Sequence, residues 1–225
     1  MTLKNAMTVM YPLQEQDDNT ELLYSLRSLE QFYPGDYEVV IVGSKLPGWI
    51  TGITQIDLPD IRGRKQLTIK SKILAALAYT PEIFFMNDDV FLTKDTIAED
   101  HPYYFYGDLK HYTEGGARPL WDRLTEYNLP TKHFDLHYPL VYRRDLFVEA
   151  VEKFQPDTIV KSMYCNYHMI KGYQFYDCKF VRQERDMVMR DFAKSRPAFS
   201  TGVFSLKNAV PFLRDLYPNK SKYEI

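Results

Sequence analysis

At 225 residues, 45% hydrophobic and 26% charged, the chain is long enough to bury one sizeable core without disulfide or metal staples. A net charge of −2 excludes a global basic footprint for nucleic acid and leaves only local clusters at Arg62-Gly63-Arg64-Lys65 and Arg143-Arg144. Two cysteines, Cys165 and Cys178, make neither a disulfide framework nor a zinc site. Nothing reads as a signal peptide or as an apolar span of about 18 residues, so a cytoplasmic protein without a membrane span is expected.

Ala6 to Tyr11 is predicted as a first strand, closed by Pro12. Asp17-Asp18-Asn19 then offers caps for a helix from Thr20 to Phe32, with Leu22, Leu26, Leu29 and Phe32 on one face. Pro34-Gly35 breaks it, and the β-branched run Tyr37 to Val42 is predicted as a buried strand. Loops at Gly43-Ser44 and Pro47-Gly48 lead to a short third strand, Thr54 to Leu58, stopped by Pro59. Lys65 to Tyr79 carries the helical stripe Ile69, Ile73, Leu74, Leu77 and Ala78, and a strand at Glu82 to Met86 follows. This alternation predicts an α/β fold with a mostly parallel central sheet flanked by helices. There is no Gly-x-Gly-x-x-Gly and no Walker loop, so neither a dinucleotide site nor a P-loop is expected. Beyond Leu92 come a strand at Tyr103 to Tyr106 and a loop at Gly115-Gly116 that a ligand could order. Helices near Asp145 to Phe154, Thr158 to Ile170 and Lys207 to Tyr217 then predict a C-terminal helical portion.

The most informative stretch is Ile83-Phe84-Phe85-Met86-Asn87-Asp88-Asp89-Val90-Phe91-Leu92. Its first apolar run reads as a buried strand, and carboxylates at the end of such a strand stand where the crevice of an open α/β sheet lies. Adjacent acids framed by apolar residues are costly to bury unless a cation compensates them. A divalent metal carrying a nucleotide diphosphate is one such compensator, because hard cations take oxygen ligands and bridge phosphates. A plain strand-end turn is the other reading, since Asn and Asp favour turns on their own account.

Several stretches together resemble the Stealth family, which includes capsular polysaccharide phosphotransferases and N-acetylglucosamine-1-phosphotransferase. Asn19 to Glu30, reading N-T-E-L-L-Y-S-L-R-S-L-E, is similar to the family's N-E-L-R-Y-S-L-R-S-I-E. Val39-Val40-Ile41-Val42 and Leu46-Pro47-Gly48-Trp49-Ile50 resemble its next segments. Phe85 to Leu92 resembles Y-L-N-D-D-V-F-L, His137-Tyr138-Pro139 its H-x-P, and Leu216 to Glu224 its closing F-P-x-x-S-x-F-E. The opening differs, with Thr8-Val9-Met10-Tyr11-Pro12-Leu13 in place of D-V-V-Y-T-W-V-N-G. The arginine that the family carries after its H-x-P helix is replaced between Ile159 and His168 by Lys161, Asn166 and His168.

The resemblance implies a single GT-A-like domain over residues 1–225, with a nucleotide-sugar-binding half (1–110) and an acceptor or catalytic half (111–225). It implies a nucleotide-sugar donor, expected to be a UDP-sugar, held by Mn2+ or Mg2+ on Asp89 and Asn87, which have D-x-D spacing, with His168 completing the shell. Asp88 would bind ribose or sugar or act as a second carboxylate. His137 would be the base that takes the acceptor's proton, with Asp135 as alternative base or orienter. Arg62, Arg64 and Lys72 would neutralise the departing nucleotide, and Tyr11 would stack on the nucleobase. The leading expectation is glycosyl transfer to a glycan, or to a hydroxymethylated base of phage DNA in a host cytoplasm, with Arg143-Arg144 meeting phosphates. Stealth-type sugar-1-phosphate transfer is the alternative, and a nucleotide-binding protein without turnover the third.

Overall fold

The computed structural model describes residues 6–14, 19–43, 45–113, 115–180 and 186–225. Its first half runs β1 (Met7–Leu13), α1 (Thr20–Phe32), β2 (Tyr37–Gly43), β3 (Thr54–Asp57), α2 (Lys65–Tyr79), β4 (Glu82–Phe85), β5 (Val90–Leu92) and β6 (Tyr104–Phe105). Then come α3 (Ala117–Glu126), β7 (Leu140–Arg143), α4 (Arg144–Lys153), α5 (Val160–Tyr167), β8 (Tyr173–Gln174), β9 (Lys179–Phe180), α6 (Asp186–Lys194), β10 (Ala198–Thr201) and α7 (Val203–Leu216). The central sheet has five strands in the order β3-β2-β1-β4-β7. All its pairs are parallel except β4 with β7, an antiparallel edge in which Phe85 faces Leu140 and Glu82 faces Arg143. This is the predicted α/β class with a mostly parallel sheet.

Both faces of that sheet are covered, so its strands are apolar on both sides. Val9, Tyr11, Val39, Ile41 and Phe84 point to the face where Leu22, Leu26 and Leu29 of α1 pack. Met10, Val40, Val42, Ile83 and Phe85 point to the other, against Ile73 and Leu77 of α2 and against α4 and α5. Each fully buried Leu, Ile or Phe contributes on the order of 1.5–3 kcal/mol, so helical placement is set by these stripes rather than by caps. The caps are weak, since Asn19 makes no side-chain cap hydrogen bond to α1, and Asp17 and Asp18 lie outside the described residues.

Pro12 does not close the first strand. The Met86 N–H donates to the Met10 carbonyl, which shows that even-numbered residues of β1 turn their backbone polar groups toward β4. By Pro12 that neighbour has ended, so the missing N–H removes no ladder bond and β1 continues to Leu13. From β1 the chain passes outward to β2 and β3, and α2 then carries it back across to β4 on the opposite side. The switch point, where open α/β sheets bind ligands, therefore lies between the C-terminal ends of β1 and β4.

The C-terminal portion is less purely helical than expected. β5, β10 and β9 form a second, three-stranded sheet, and Met189 and Ala193 of α6 and Phe212 and Leu213 of α7 cluster with its Phe91 and Phe199. These strands have only two to four residues, too few for a period-2 pattern to emerge from sequence.

The segments that carry the family resemblance converge as scaffold. Ser25 Oγ donates to the Val90 carbonyl at 2.5 Å, and Ser28 Oγ accepts the Leu92 N–H at 3.0 Å, so α1 braces the strand that leaves Asp88-Asp89. Arg27 makes a bidentate pair with Glu224 at 2.9 and 2.7 Å and also reaches the Tyr217 carbonyl. The last residues lie against the Leu46 to Ile50 segment, where the Thr51 N–H donates to the Tyr223 carbonyl and the Ile225 N–H to the Trp49 carbonyl.

Candidate functional site

At the switch point opens a cleft of about 880 Å³, within the range of small-molecule sites. Pro12 and Gln14 from the end of β1, Asn87, Asp88 and Asp89 from the end of β4, and Glu21 from the first turn of α1 line it. Asp60, Arg62, Arg64, Lys65 and Lys72 come from the loop into α2 and from α2 itself, while His137, Lys179, Thr201 and Gly202 close the remaining side. Carboxylates thus occupy the sheet end, and cations together with the N-terminus of α2 occupy the loop beside it. A helix N-terminus adds partial positive charge to that side.

On the acidic side, burial and neighbouring charge both disfavour the ionised Asp88. Burial, then Asp89, then Glu21 push the Asp88 carboxyl up to about 7, although it accepts the backbone N–H groups of Asp88 and Asp89. Asp89 is fixed by a hydrogen bond from Ser200 Oγ to its Oδ2 at 2.9 Å, and its carbonyl accepts the Thr201 N–H. Glu21, which is buried, accepts from Thr201 Oγ1 at 3.0 Å. Among the described residues, no three His, Cys, Asp or Glu side chains gather closely enough to hold a metal ion by themselves. The hard oxygens of Asn87, Asp88 and Asp89 do suit Mg2+ or Mn2+ brought in with phosphate oxygens, because such ions are commonly held by one or two carboxylates plus substrate phosphates.

His137 is oriented by Asp177, forty positions later in the chain. Asp177 accepts the His137 backbone N–H at 2.8 Å on Oδ1 and faces its Nδ1 at 2.7 Å with Oδ2. Burial works to raise the Asp177 carboxyl, but the hydrogen bond and charge of His137, with the N–H groups of His137 and Cys178, outweigh it and hold it below the usual range. On the opposite ring edge Lys179 Nζ lies 3.2 Å from His137 Nε2. The loop that presents the ring is braced by α5. The buried Lys161 ammonium donates to the Leu136 and Tyr138 carbonyls, both at 2.6 Å, and burial lowers its pKa. Ser162 Oγ accepts the Phe134 N–H at 2.8 Å.

Several expected site residues have other work. Asp135 neither orients His137 nor lines the cleft; its two oxygens accept the Lys161 and Ser162 N–H groups at 3.1 and 2.9 Å and cap α5. His168 sits at the far end of α5, with Nε2 2.7 Å from the Leu146 carbonyl and its ring against Tyr164 and Tyr167, away from Asp89's side of the cleft. Tyr11 is fully buried under Ser25 and Met86, and burial raises its hydroxyl far above the tyrosine range, so no base can stack on it. Lys72 lines the cleft but is committed to Asp60 at 2.5 Å and to the Leu13 carbonyl at 2.7 Å. Arg64 is held by Asp157 through two hydrogen bonds of 2.9 and 2.6 Å. Arg62 has no ion-pair partner among the described residues and keeps its charge for the cleft. Arg144 caps the C-terminal carbonyls of α2, Leu77 and Ala78, and Arg143 makes an exposed pair with Asp145 at 3.3 Å; neither lines the cleft.

No family model matches the chain, and no curated protein matches it either. Its structure is similar to that of the galactosyltransferase LgtC in complex with donor and acceptor sugar analogues, at 12% identity and a TM-score of 0.49, over 96% of this chain and 97% of that one. It is also similar to an active-site mutant of LgtC at 13% identity and a TM-score of 0.47, over 93% and 95% of the two chains. Among the described residues no helix is long and apolar enough to cross a membrane.

Proposed function

We propose that the chain is a GT-A-like transferase that moves a sugar from a nucleoside diphosphate donor to an acceptor hydroxyl. The observation that carries this reading is that Asn87, Asp88 and Asp89 line one cleft at the sheet's switch point together with Arg62, Lys65 and the N-terminus of α2. A diphosphate carrying a divalent cation would be complementary to both sides at once, and the adjacent Asp88 and Asp89 carboxylates, with Glu21 adding its charge, call for such a cation. When bound, the cation supplies charge that lowers the cost of the leaving diphosphate. Asp89 and Asn87 would hold it, with Asp88 beside them. Arg62 faces the diphosphate as the mobile countercharge, and Lys72 holds the end of β1 and Asp60 in place. His137, steadied by Asp177, takes the acceptor's proton at Nε2. In that step the acceptor oxygen bonds the anomeric carbon, and the bond from that carbon to the diphosphate oxygen breaks with its electron pair leaving on the diphosphate. The hydroxyl proton goes to His137.

With Arg143 and Arg144 engaged elsewhere, a glycan hydroxyl is favoured over a base of DNA as acceptor. A second reading, transfer of sugar-1-phosphate, is favoured by Arg62, whose guanidinium suits a phosphoryl group under attack. Incubation with UDP-sugars, Mn2+ and candidate acceptors, followed by product mass, tests both. A gain of one sugar supports glycosyl transfer, a gain of sugar plus phosphate supports the second reading, and donor binding with neither product leaves a binding protein without turnover.

A further inference from the structure

We propose that Lys179 is a two-position cation that blocks His137 Nε2 in the free protein and moves onto the diphosphate when a donor occupies the cleft. The inference rests on the reading of the cleft as a diphosphate site, and it assigns to Lys179 a role that ties base activation to donor binding. Asp177 Oδ2 is an acceptor at 2.7 Å from His137 Nδ1, which places the imidazole proton on Nδ1 and the lone pair on Nε2. That lone pair is where an acceptor hydroxyl must deliver its proton, and the Lys179 ammonium already donates to it at 3.2 Å. While the ammonium stays, the base has no free site, and a proton arriving on Nε2 would set two cations against each other.

Both side chains line the cleft together with Asn87, Asp88 and Asp89, so a diphosphate held there lies within the space the Lys179 side chain shares. Gly202 borders that chain with no side chain of its own, and a Cβ built there would touch Lys179 Cε at 3.6 Å. A hydrogen bond to an anionic oxygen is roughly twice as strong as one to a neutral acceptor, so the ammonium favours a diphosphate over a neutral imidazole. Transfer of Lys179 frees Nε2, leaves Asp177 to stabilise the imidazolium that forms, and adds positive charge where the leaving group gathers negative charge. A hydroxyl arriving before the donor would find the base occupied.

Nitrogen-15 NMR of the His137 ring tests this, with the signal assigned by His137→Gln and magnesium pyrophosphate as the probe. In the ligand-free protein, Lys179→Met is expected to move the Nε2 signal by removing its donor. Saturating magnesium pyrophosphate is expected to move the wild-type signal the same way and to leave the Lys179→Met signal in place. A wild-type signal unmoved by pyrophosphate that calorimetry shows to be bound would overturn the two-position role and leave the diphosphate site standing. Absence of pyrophosphate binding would overturn both. The pyrophosphate titration of the wild-type protein decides the question even if Lys179→Met does not fold.

Discussion

Asp88→Asn is expected to stabilise the metal-free protein at alkaline pH while removing its metal-dependent ligand binding. The Asp88 carboxyl titrates at about 7 in the fold, raised by burial and by Asp89 and Glu21, against 3.8 for an ordinary aspartate. A difference of about three units corresponds to about 4 kcal/mol at 1.36 kcal/mol per unit. Water reaches Asp88 from the cleft, so roughly half of this, about 2 kcal/mol, is the realistic gain for a neutral isostere. That would raise the melting temperature by roughly 4–8 °C in a chain of this length. Below pH 4 the carboxyl is neutral in folded and unfolded states alike and the variant gains nothing. Between about 4 and 7 the folded protein retains a proton that the unfolded chain releases, so wild-type stability falls as pH rises, and above about 7 the penalty is complete. Thermal melts in chelator at pH 5 and pH 8 measure it, with the variant's advantage small at the first and large at the second. An advantage independent of pH, or a loss of stability at pH 8, would refute the argument that burial, with Asp89 and Glu21 beside it, penalises the charged Asp88 in the fold.

Three further outcomes test the remaining parts. Asp89→Ala should abolish Mn2+-dependent binding of UDP in calorimetry while the protein stays folded, and unchanged metal-dependent affinity would remove Asp89 from the metal's ligands. His137→Ala should bind donor normally yet lose transfer by about 100-fold or more, the usual contribution of a positioned base, and near-normal turnover would return His137 to a structural role. Arg27→Ala should cost about 3 kcal/mol in urea melts, because it strands Glu224, whose side chain is 4% exposed, without its partner. Burial raises the Glu224 carboxyl, but Arg27 and the Ser221 N–H outweigh this and hold it below the glutamate range. The pair's contribution is therefore present at neutral pH and disappears as the pH falls through the acid range; a loss equal at pH 7 and pH 3 would contradict it.

The sequence by itself determined the frame of the central sheet. The apolar runs of β1, β2 and β4 and the stripes of α1 and α2 are long enough for their periods to register, and their alternation points to a mostly parallel sheet. The order β3-β2-β1-β4-β7 and the antiparallel edge strand β7 were decided by the tertiary structure. The sequence also located the acidic turn, because Asn87-Asp88-Asp89 is chemically out of place after four apolar residues. Tertiary structure decided what surrounds that turn. Asp177 and Lys179 meet His137 across 40 and 42 positions of chain, and Glu21 and Thr201 meet across 180. No local pattern encodes such distances, whereas Asp135, two residues from His137, is drawn away to cap α5. Likewise Tyr11 and Lys72 have the right chemistry for a nucleotide but are buried or paired before a ligand arrives. A side chain's type states what it is able to bind, and only the fold determines which of its partners reach it first.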